Sequence, residues 1–278
     1  MNKELNKFSE GEINMTVNET SLDTLCSALC YAMGVDAPKE SAPMNKILAA
    51  FADEKFGDKK ADRIFMYNPD AIGQWIYEKY PEFFTSAEKF AELKIPYCTV
   101  MPSVTPVCFG TMYTGAQPEV HGIQAYEKPV ITIDTIFDAL IRAGKKCVII
   151  AYGNASLSKI YLERDMDYFY FETVDQVNAK AAELILKDEH DFYVVYNGNY
   201  DSAMHKHGPE SAVALSELRA NCRTYAMFCE MIKEHWTNHN TITAFAMDHG
   251  CHEIDGDCGS HGLDMPEDLN ICHFYNAF

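Results

Sequence analysis

Short apolar runs alternate with amphipathic segments from residue 62 to the end of the chain. Continuous apolar runs of four to six residues suit strands buried on both faces, whereas apolar residues three and four positions apart suit helices that pack on those strands. The alternation predicts an α/β fold of βαβ units around a mainly parallel central sheet. Its strands are predicted at 63–67, 96–101, 146–151, 168–171, 192–196 and 242–247.

Helical spacing also fills the chain before this region, at 21–35 and 45–56, on either side of a proline-containing loop. We therefore divide the chain into a helical N-terminal extension, residues 1–60, packed on an α/β domain, residues 61–278. Residues 1 to about 20 are polar and are predicted to be frayed or loosely docked.

Three further helices are predicted from their end signals. Asp134 should cap a helix that Gly144 ends, and Thr173 or Asp175 should begin a helix that runs to about residue 187. Pro209 stands where the first turn of a long helix ending near residue 236 would begin.

Composition places the chain among ordinary globular proteins, with 47% hydrophobic and 23% charged residues. The formal net charge of −18 repels nucleic-acid phosphates and anionic lipid head groups, so neither a nucleic-acid polymer nor a membrane is expected as a partner. A phosphate-bearing ligand would need a local positive centre. No apolar run approaches the roughly 20 residues that span a bilayer.

Ten cysteines would suit a disulfide framework in a short secreted chain, but this chain has 278 residues and begins with a polar segment rather than an apolar signal. We therefore expect reduced thiols and a cytoplasmic location.

Polar residues follow three of the predicted strands at their carboxyl ends, where an open α/β sheet binds its ligands. A further histidine lies in a glycine-rich segment, 256–262. Together they are Asp70, Asp201, His205, Asp248, His249 and His261. Carboxylate oxygen and imidazole nitrogen suit Zn²⁺, and a cation would relieve the repulsion among three carboxylates. The set predicts a divalent-metal site, although each residue alone also fits a helix cap or an exposed surface.

Thr105 follows the second predicted strand and is the candidate nucleophile. A hydroxyl at a helix start lies near the positive end of the helix dipole, which favours an alkoxide and a bound phosphate. An ordinary N-cap is the alternative, and the local sequence by itself favours that alternative.

Four motifs occur in order along the chain: P-S-V-T-P-V-C-F-G-T-M-Y-T-G-A-Q-P-E-V-H-G-I at 102–123, D-S-A-M-H-K-H-G-P at 201–209, D-H-G at 248–250 and H-G at 261–262. Together they resemble the alkaline phosphatase superfamily, most closely its type I phosphodiesterase/nucleotide pyrophosphatase branch. The resemblance implies an alkaline phosphatase-like three-layer α/β/α fold, two divalent metal ions, zinc or manganese, and a phosphothreonine intermediate.

The resemblance also implies a role for each site residue. One metal would be surrounded by Asp70, Thr105, Asp248 and His249, and the other would be held by Asp201, His205 and His261, with Thr105 as the nucleophile.

The implied activity is hydrolysis of a small phosphate ester, either a diester or a pyrophosphate. The motifs contain no arginine and only Lys206 as a basic neighbour, so diesters should be preferred to dianionic monoesters. Phosphomonoesterase, phosphonate hydrolase and phosphomutase activities on the same core remain alternatives.

The chain also departs from the branch. Cys108 stands three residues after the nucleophile, where the branch commonly has an asparagine that donates to the phosphate, and a large insert is missing between His249 and His261. These departures keep open a degenerate, non-catalytic metal-binding protein. The N-terminal extension could form a homodimer interface or cover the site.

Overall fold

The computed structural model describes residues 16–278, and in this part of the chain nine strands are formed. They are β1 Arg63–Pro69, β2 Leu93–Cys98, β3 Cys147–Tyr152, β4 Asp167–Phe171, β5 Phe192–Asn197, β6 Thr241–Phe245, β7 His252–Ile254, β8 Cys258–Ser260 and β9 Asn270–Ala277. Seven of them form one sheet in the order β2-β9-β6-β1-β5-β3-β4, and β7 and β8 form a separate hairpin.

Twelve α-helices surround the sheet in the same described range. They are α1 Thr24–Ala32, α2 Lys46–Phe56, α3 Gln74–Lys79, α4 Pro81–Glu88, α5 Thr105–Thr114, α6 Pro118–His121, α7 Ile136–Arg142, α8 Leu157–Ile160, α9 Val174–Lys187, α10 Asn199–His207, α11 Ala212–His235 and α12 Pro266–Leu269. None of the described helices is long and apolar enough to cross a membrane.

The central strand β1 is buried on both faces and shows why the molecule has three layers. Phe65 packs on Phe228 of α11, with ring centroids 5.3 Å apart, while Asn68 accepts a 2.6 Å hydrogen bond from the hydroxyl of Tyr113 in α5. Odd and even positions of a strand point to opposite faces, so α11 and α5 cover different faces of the sheet. The predicted α/β/α fold with a mainly parallel sheet is confirmed.

All six predicted strands belong to the sheet, but the prediction missed three others. β9 pairs antiparallel with both β2 and β6. The strand is buried, but polar residues such as His273 interrupt the apolar run by which a buried strand is predicted. The hairpin strands β7 and β8 have only three residues each, too short for periodicity to reveal. β2 also begins earlier and ends earlier than predicted, because pairing with β9 stops at Cys98.

Two predicted helix starts are wrong by a few residues. The cap of α7 is Thr135 rather than Asp134, and Thr135 forms a capping box with Asp138. The long helix α11 begins after Ser211, whose hydroxyl accepts from the Ala214 N–H, rather than at Pro209. Thr173 caps α9, as one of the two predicted alternatives required.

The two helices of the N-terminal extension pack into the same hydrophobic core as residues 61–278. Leu25 and Leu29 of α1 are fully buried, and Cys26 lies 3.6 Å from the Tyr113 carbonyl near the far end of α5. Of the segment predicted to be frayed, residues 1–15 lie outside the described residues. Asn18 is docked, because its side-chain amide donates to Gln74 and to the Tyr97 carbonyl.

Candidate metal centre and active site

Sheet order brings the predicted carboxylates to one edge. β1 pairs in parallel with β5 on one side and with β6 on the other. Asp70 directly follows β1, Asp201 lies in the first turn of α10 after β5, and Asp248 follows β6 by three residues. Because parallel neighbours end at the same edge, the three carboxylates converge.

Asp70, Asp248 and His249 form the first group, in which the ligand atoms all lie within 4.8 Å of one another. His249 Nε2 is 3.4 Å from Asp70 Oδ1 and 3.3 Å from Asp248 Oδ2. All three side chains are buried. Ala71 adopts a left-handed backbone conformation, with φ 62°, and its N–H donates to Asp248 Oδ1 at 3.2 Å, which fixes that carboxylate.

Asp201, His205 and His261 form the second group, again within 4.8 Å. His205 lies one helical turn after Asp201 on α10, and its Nε2 is 3.2 Å from Asp201 Oδ1. His261 follows the hairpin strand β8 and places its Nε2 3.4 Å from the same oxygen. A hairpin that periodicity did not reveal therefore delivers the last member of this group.

The three histidines are all oriented by the backbone. His249 Nδ1 donates to the Gly250 carbonyl at 2.9 Å, and His205 Nδ1 donates to the Gly259 carbonyl at 3.0 Å. His261 Nδ1 donates to the Ser103 carbonyl at 3.1 Å. A neutral imidazole that donates through Nδ1 presents a lone pair on Nε2, which is how a metal-binding histidine is usually held.

Unpaired oxygens provide a test of whether these residues fit metal ions. Asp70 Oδ1, Asp201 Oδ1 and Asp248 Oδ2 are buried and have no hydrogen-bond partner. Buried carboxylate oxygens without partners carry a large desolvation cost unless a cation compensates it. Each group pairs such oxygens with imidazole Nε2 atoms, a donor set typical of zinc, so the residues fit two divalent ions.

The pKa values of the carboxylates reflect the burial and the mutual repulsion of three acids at one edge of the sheet. Burial raises the pKa of Asp70 to about 7, and the charge of Asp201 adds to this effect. Burial and the charge of Asp70 also raise the pKa of Asp248. A bound cation would favour the ionised form of both.

The second group differs because its histidines compensate its acid. The adjacent Asp201 carboxylate raises the pKa of His205 to about 9. Burial acts to raise the pKa of Asp201, but the two histidines outweigh it and hold that pKa below its usual range. Burial lowers the pKa of His249 in the first group.

Thr105 lies beside the first group, as the first residue of α5. Its Oγ1 is 3.4 Å from Asp70 Oδ2 and 3.3 Å from His249 Nε2. The N-cap position belongs to Val104, so the alternative that Thr105 is an ordinary N-cap is wrong. The hydroxyl points to the carboxylates rather than back to its own helix.

Cys108 lies one turn further along α5 and is not part of the cavity wall. It is fully buried, and its Sγ is 3.9 Å from the Val100 carbonyl. It does not line the cavity beside Thr105, so its thiol does not replace the expected phosphate donor.

Sequence reasoning missed two contributions to the site. The Tyr196 hydroxyl donates a short hydrogen bond to Asp70 Oδ2. A cavity of about 250 Å³ opens at Thr105 and is also lined by Tyr126, Lys128 and Ser156. Lys128 is therefore a basic residue beside the site that the four motifs do not contain. No local signal could have placed it there, because it lies in an irregular loop after the motif at 102–123, where periodicity does not indicate the path of the chain.

Comparisons with known proteins agree with this geometry. The family model for type I phosphodiesterase/nucleotide pyrophosphatase matches residues 69–270. A comparison with curated protein sequences finds no match.

Solved structures of murine and human ectonucleotide pyrophosphatase/phosphodiesterase 5 are similar in fold. The murine protein has a TM-score of 0.56 at 20% identity, over 70% of this chain and 58% of that one. The human protein has a TM-score of 0.55 at 19% identity, over 69% and 58%. An inactive murine variant in complex with AMP has a TM-score of 0.54 at 20% identity, over 70% and 59%. This chain therefore matches less than two thirds of each relative's length. Because the family model covers most of the chain and both acidic groups, the protein belongs to the type I phosphodiesterase/nucleotide pyrophosphatase family.

Proposed function

We propose that the protein is a metal-dependent hydrolase of small phosphate esters, with Thr105 as its nucleophile and a diester or pyrophosphate bond as its target. The observation that carries the proposal is the position of Thr105 Oγ1, within 3.4 Å of Asp70 and His249 at the mouth of a cavity. Family membership supports the reaction class.

Two divalent ions, zinc or manganese, would be held in this proposal by the two acidic groups. The first ion would bind Asp70, Asp248 and His249, next to Thr105, and the second would bind Asp201, His205 and His261. When bound, the ions supply positive charge that lowers the pKa of the Thr105 hydroxyl and stabilises the charge of the phosphoryl oxygens. Three carboxylates are outweighed by two divalent ions, so the site becomes locally positive inside a chain of net charge −18.

Thr105 would act in two steps. Its oxygen forms a bond to phosphorus as the bond to the ester oxygen breaks, and the hydroxyl proton ends on the departing alcohol. A water oxygen then forms a bond to phosphorus as the bond between phosphorus and the Thr105 oxygen breaks, and one proton of the water goes to that oxygen and restores the hydroxyl. Tyr196 holds Asp70 in place during both steps through its hydrogen bond.

A diester is favoured over a monoester by the family and by one similar structure. The inactive murine variant binds AMP, a monoester of the kind that hydrolysis of a nucleotide diester or pyrophosphate releases. A dianionic monoester would also bring a second charge to the scissile phosphoryl group, and in the described part of the chain no lysine or arginine hydrogen-bonds to Thr105 Oγ1.

Metal analysis followed by a substrate panel tests the proposal. We expect about two divalent ions per chain, and we expect an aryl diester to exceed the matched monoester and phosphonate at least about tenfold in kcat/KM. A tenfold preference for the monoester would overturn the choice of diester. Full metal content without turnover of any substrate would overturn the enzyme and favour a metal-binding protein.

We also propose that the protein works in a reducing compartment such as the cytoplasm. All ten cysteines are free in the structure, and eight of them are buried. Titration of the unfolded protein with a thiol reagent, without reductant, should find ten thiols. A lower count that reduction restores would contradict this location.

A further inference from the structure

The cavity beside Thr105 holds a positive charge that the two-metal chemistry does not use. Lys128 lines this cavity together with Asp70 and Asp201, and it is the only lysine or arginine among the described residues that does so. Its Nζ donates to the Asn154 carbonyl at 2.8 Å. In the described part of the chain no carboxylate oxygen lies within 4.0 Å of Lys128 Nζ, the limit for an ion pair. Lys128 is therefore unpaired although acids outnumber bases 41 to 23 in the sequence.

The surroundings of Lys128 make its charge available to a ligand. Burial and the charge of Lys159 lower the pKa of Lys128, whereas Asp70 raises it only from a distance. Among residues 16–278 neither lysine has a carboxylate within ion-pair distance, so an anion bound in the cavity would favour the charged form of Lys128.

Ser156 provides a second, independent indication of a ligand. It lines the same cavity, is only 1% exposed, and its buried Oγ has no hydrogen-bond partner. A buried hydroxyl without a partner costs free energy, and the cost disappears when a ligand accepts its hydrogen bond.

Tyr126 also lines this cavity. The residue is 62% exposed, and Lys128 Nζ lies 5.2 Å from its ring centroid. The ring therefore helps to hold the ammonium group and offers an apolar face to the carbon atoms of a ligand.

We propose that Lys128 and Ser156 bind a second anionic group of the substrate, a carboxylate or a further phosphoryl group, which the ester carries beyond its scissile phosphorus. This inference rests on the proposed function, because it places the scissile phosphoryl group at Thr105. Thr105 contacts Asp70, whereas Lys128 Nζ is more than 4.0 Å from the Asp70 oxygens. The second anion, bound at Lys128, is therefore further from Thr105 than the scissile phosphoryl group is. The cavity volume of about 250 Å³ is just below the usual range for small-molecule sites, which suits a compact substrate.

Equilibrium binding of three phosphonates tests the proposal without turnover. The probes are phenylphosphonate and its 3- and 4-carboxylated derivatives, titrated calorimetrically into the zinc-loaded protein. We expect at least one carboxylated probe to bind about tenfold more tightly than phenylphosphonate, as a charge-assisted contact should give. Lys128→Gln should reduce this advantage to within about twofold, with a smaller effect on the binding of phenylphosphonate itself, and Ser156→Ala should reduce the advantage in part.

Lys146→Gln is the matched control, because it removes the same charge at the exposed opposite end of β3. It should keep the full advantage. Equal binding of all probes to the wild-type protein would overturn the proposal even if Lys128→Gln failed to fold, and so would an advantage that survives Lys128→Gln. A Lys128-dependent advantage in a protein that hydrolyses no ester would overturn the proposed function alone. Failure of every phosphonate to bind would overturn both.

Discussion

His205 and His261 face each other with their Nε2 atoms 3.2 Å apart, although they are 56 positions apart in the chain. Each ring donates its Nδ1 proton to a backbone carbonyl, so both neutral rings present lone pairs to the same point, beside Asp201 Oδ1. Only a shared proton or a cation stabilises such an arrangement. The ligand atoms of Asp201, His205 and His261 are therefore already arranged around a position that favours a positive charge in the metal-free protein.

Metal binding should release protons. The pKa of His205 is raised from its usual value to about 9 in the metal-free protein, so at pH 8 the ring is largely protonated and must lose its proton to bind a metal. Asp70, with a pKa of about 7, adds to the release as the pH falls to 7. Affinity should therefore decrease as the pH is lowered from 9 to 6. Calorimetry in buffers of different ionisation enthalpy counts the protons, and His207→Gln, a neighbour outside both groups, should behave as wild type. Metal uptake at pH 8 without proton release would contradict the assignment of His205.

Thr105→Ala should lower kcat at least about a thousandfold because the nucleophile is lost. Its metal content and melting temperature should stay near those of the wild-type protein, since the six Asp and His residues proposed as ligands remain. Thr85→Ala, on an exposed turn of α4, is the matched control and should keep full activity. A Thr105→Ala variant with wild-type turnover would refute the covalent mechanism, while one that unfolds would indicate a structural role.

Tyr196→Phe should weaken metal binding about tenfold, because a hydrogen bond that orients a ligating carboxylate is typically worth ten- to a hundredfold in metal affinity. The lost bond is the one from Tyr196 to Asp70 Oδ2. Tyr170→Phe provides the control, since the Tyr170 hydroxyl is buried without a hydrogen-bond partner and its removal breaks no contact. Competition with a chromogenic chelator measures both affinities, and equal values for the two variants would show that Tyr196 does not support the site.

Gly250→Ala should destabilise the protein by about 3 kcal/mol and reduce its metal content. A Cβ at this position would lie 1.9 Å from the Glu267 carbonyl oxygen, so the backbone next to His249 must shift. Gly153→Ala is the control, because its Cβ would meet nothing closer than 3.7 Å. Urea unfolding and metal analysis check both variants, and a Gly250→Ala protein as stable as Gly153→Ala would contradict the close packing described here.

The sequence by itself determined the class of fold and the chemistry at the sheet edge. Apolar runs identify buried strands because burial on both faces excludes polar side chains, and Asp70, Asp201 and Asp248 could be placed because each follows such a run. The orientation of His205 was also readable, since a spacing of four on a helix puts it over Asp201.

Only the tertiary structure decided the contributions that come from distant or weakly patterned segments. β9 is a buried strand that contains polar residues, and its backbone pairs with β2 and β6, which lie elsewhere in the chain. Lys128 and Ser156 reach the cavity from two loops, and Cys108 does not line it, because packing sets loop paths and the rotation of α5. Local periodicity carries no information on such long-range contacts, which is why the six converging Asp and His residues could be singled out from the sequence and the cavity wall with Lys128 and Ser156 could not.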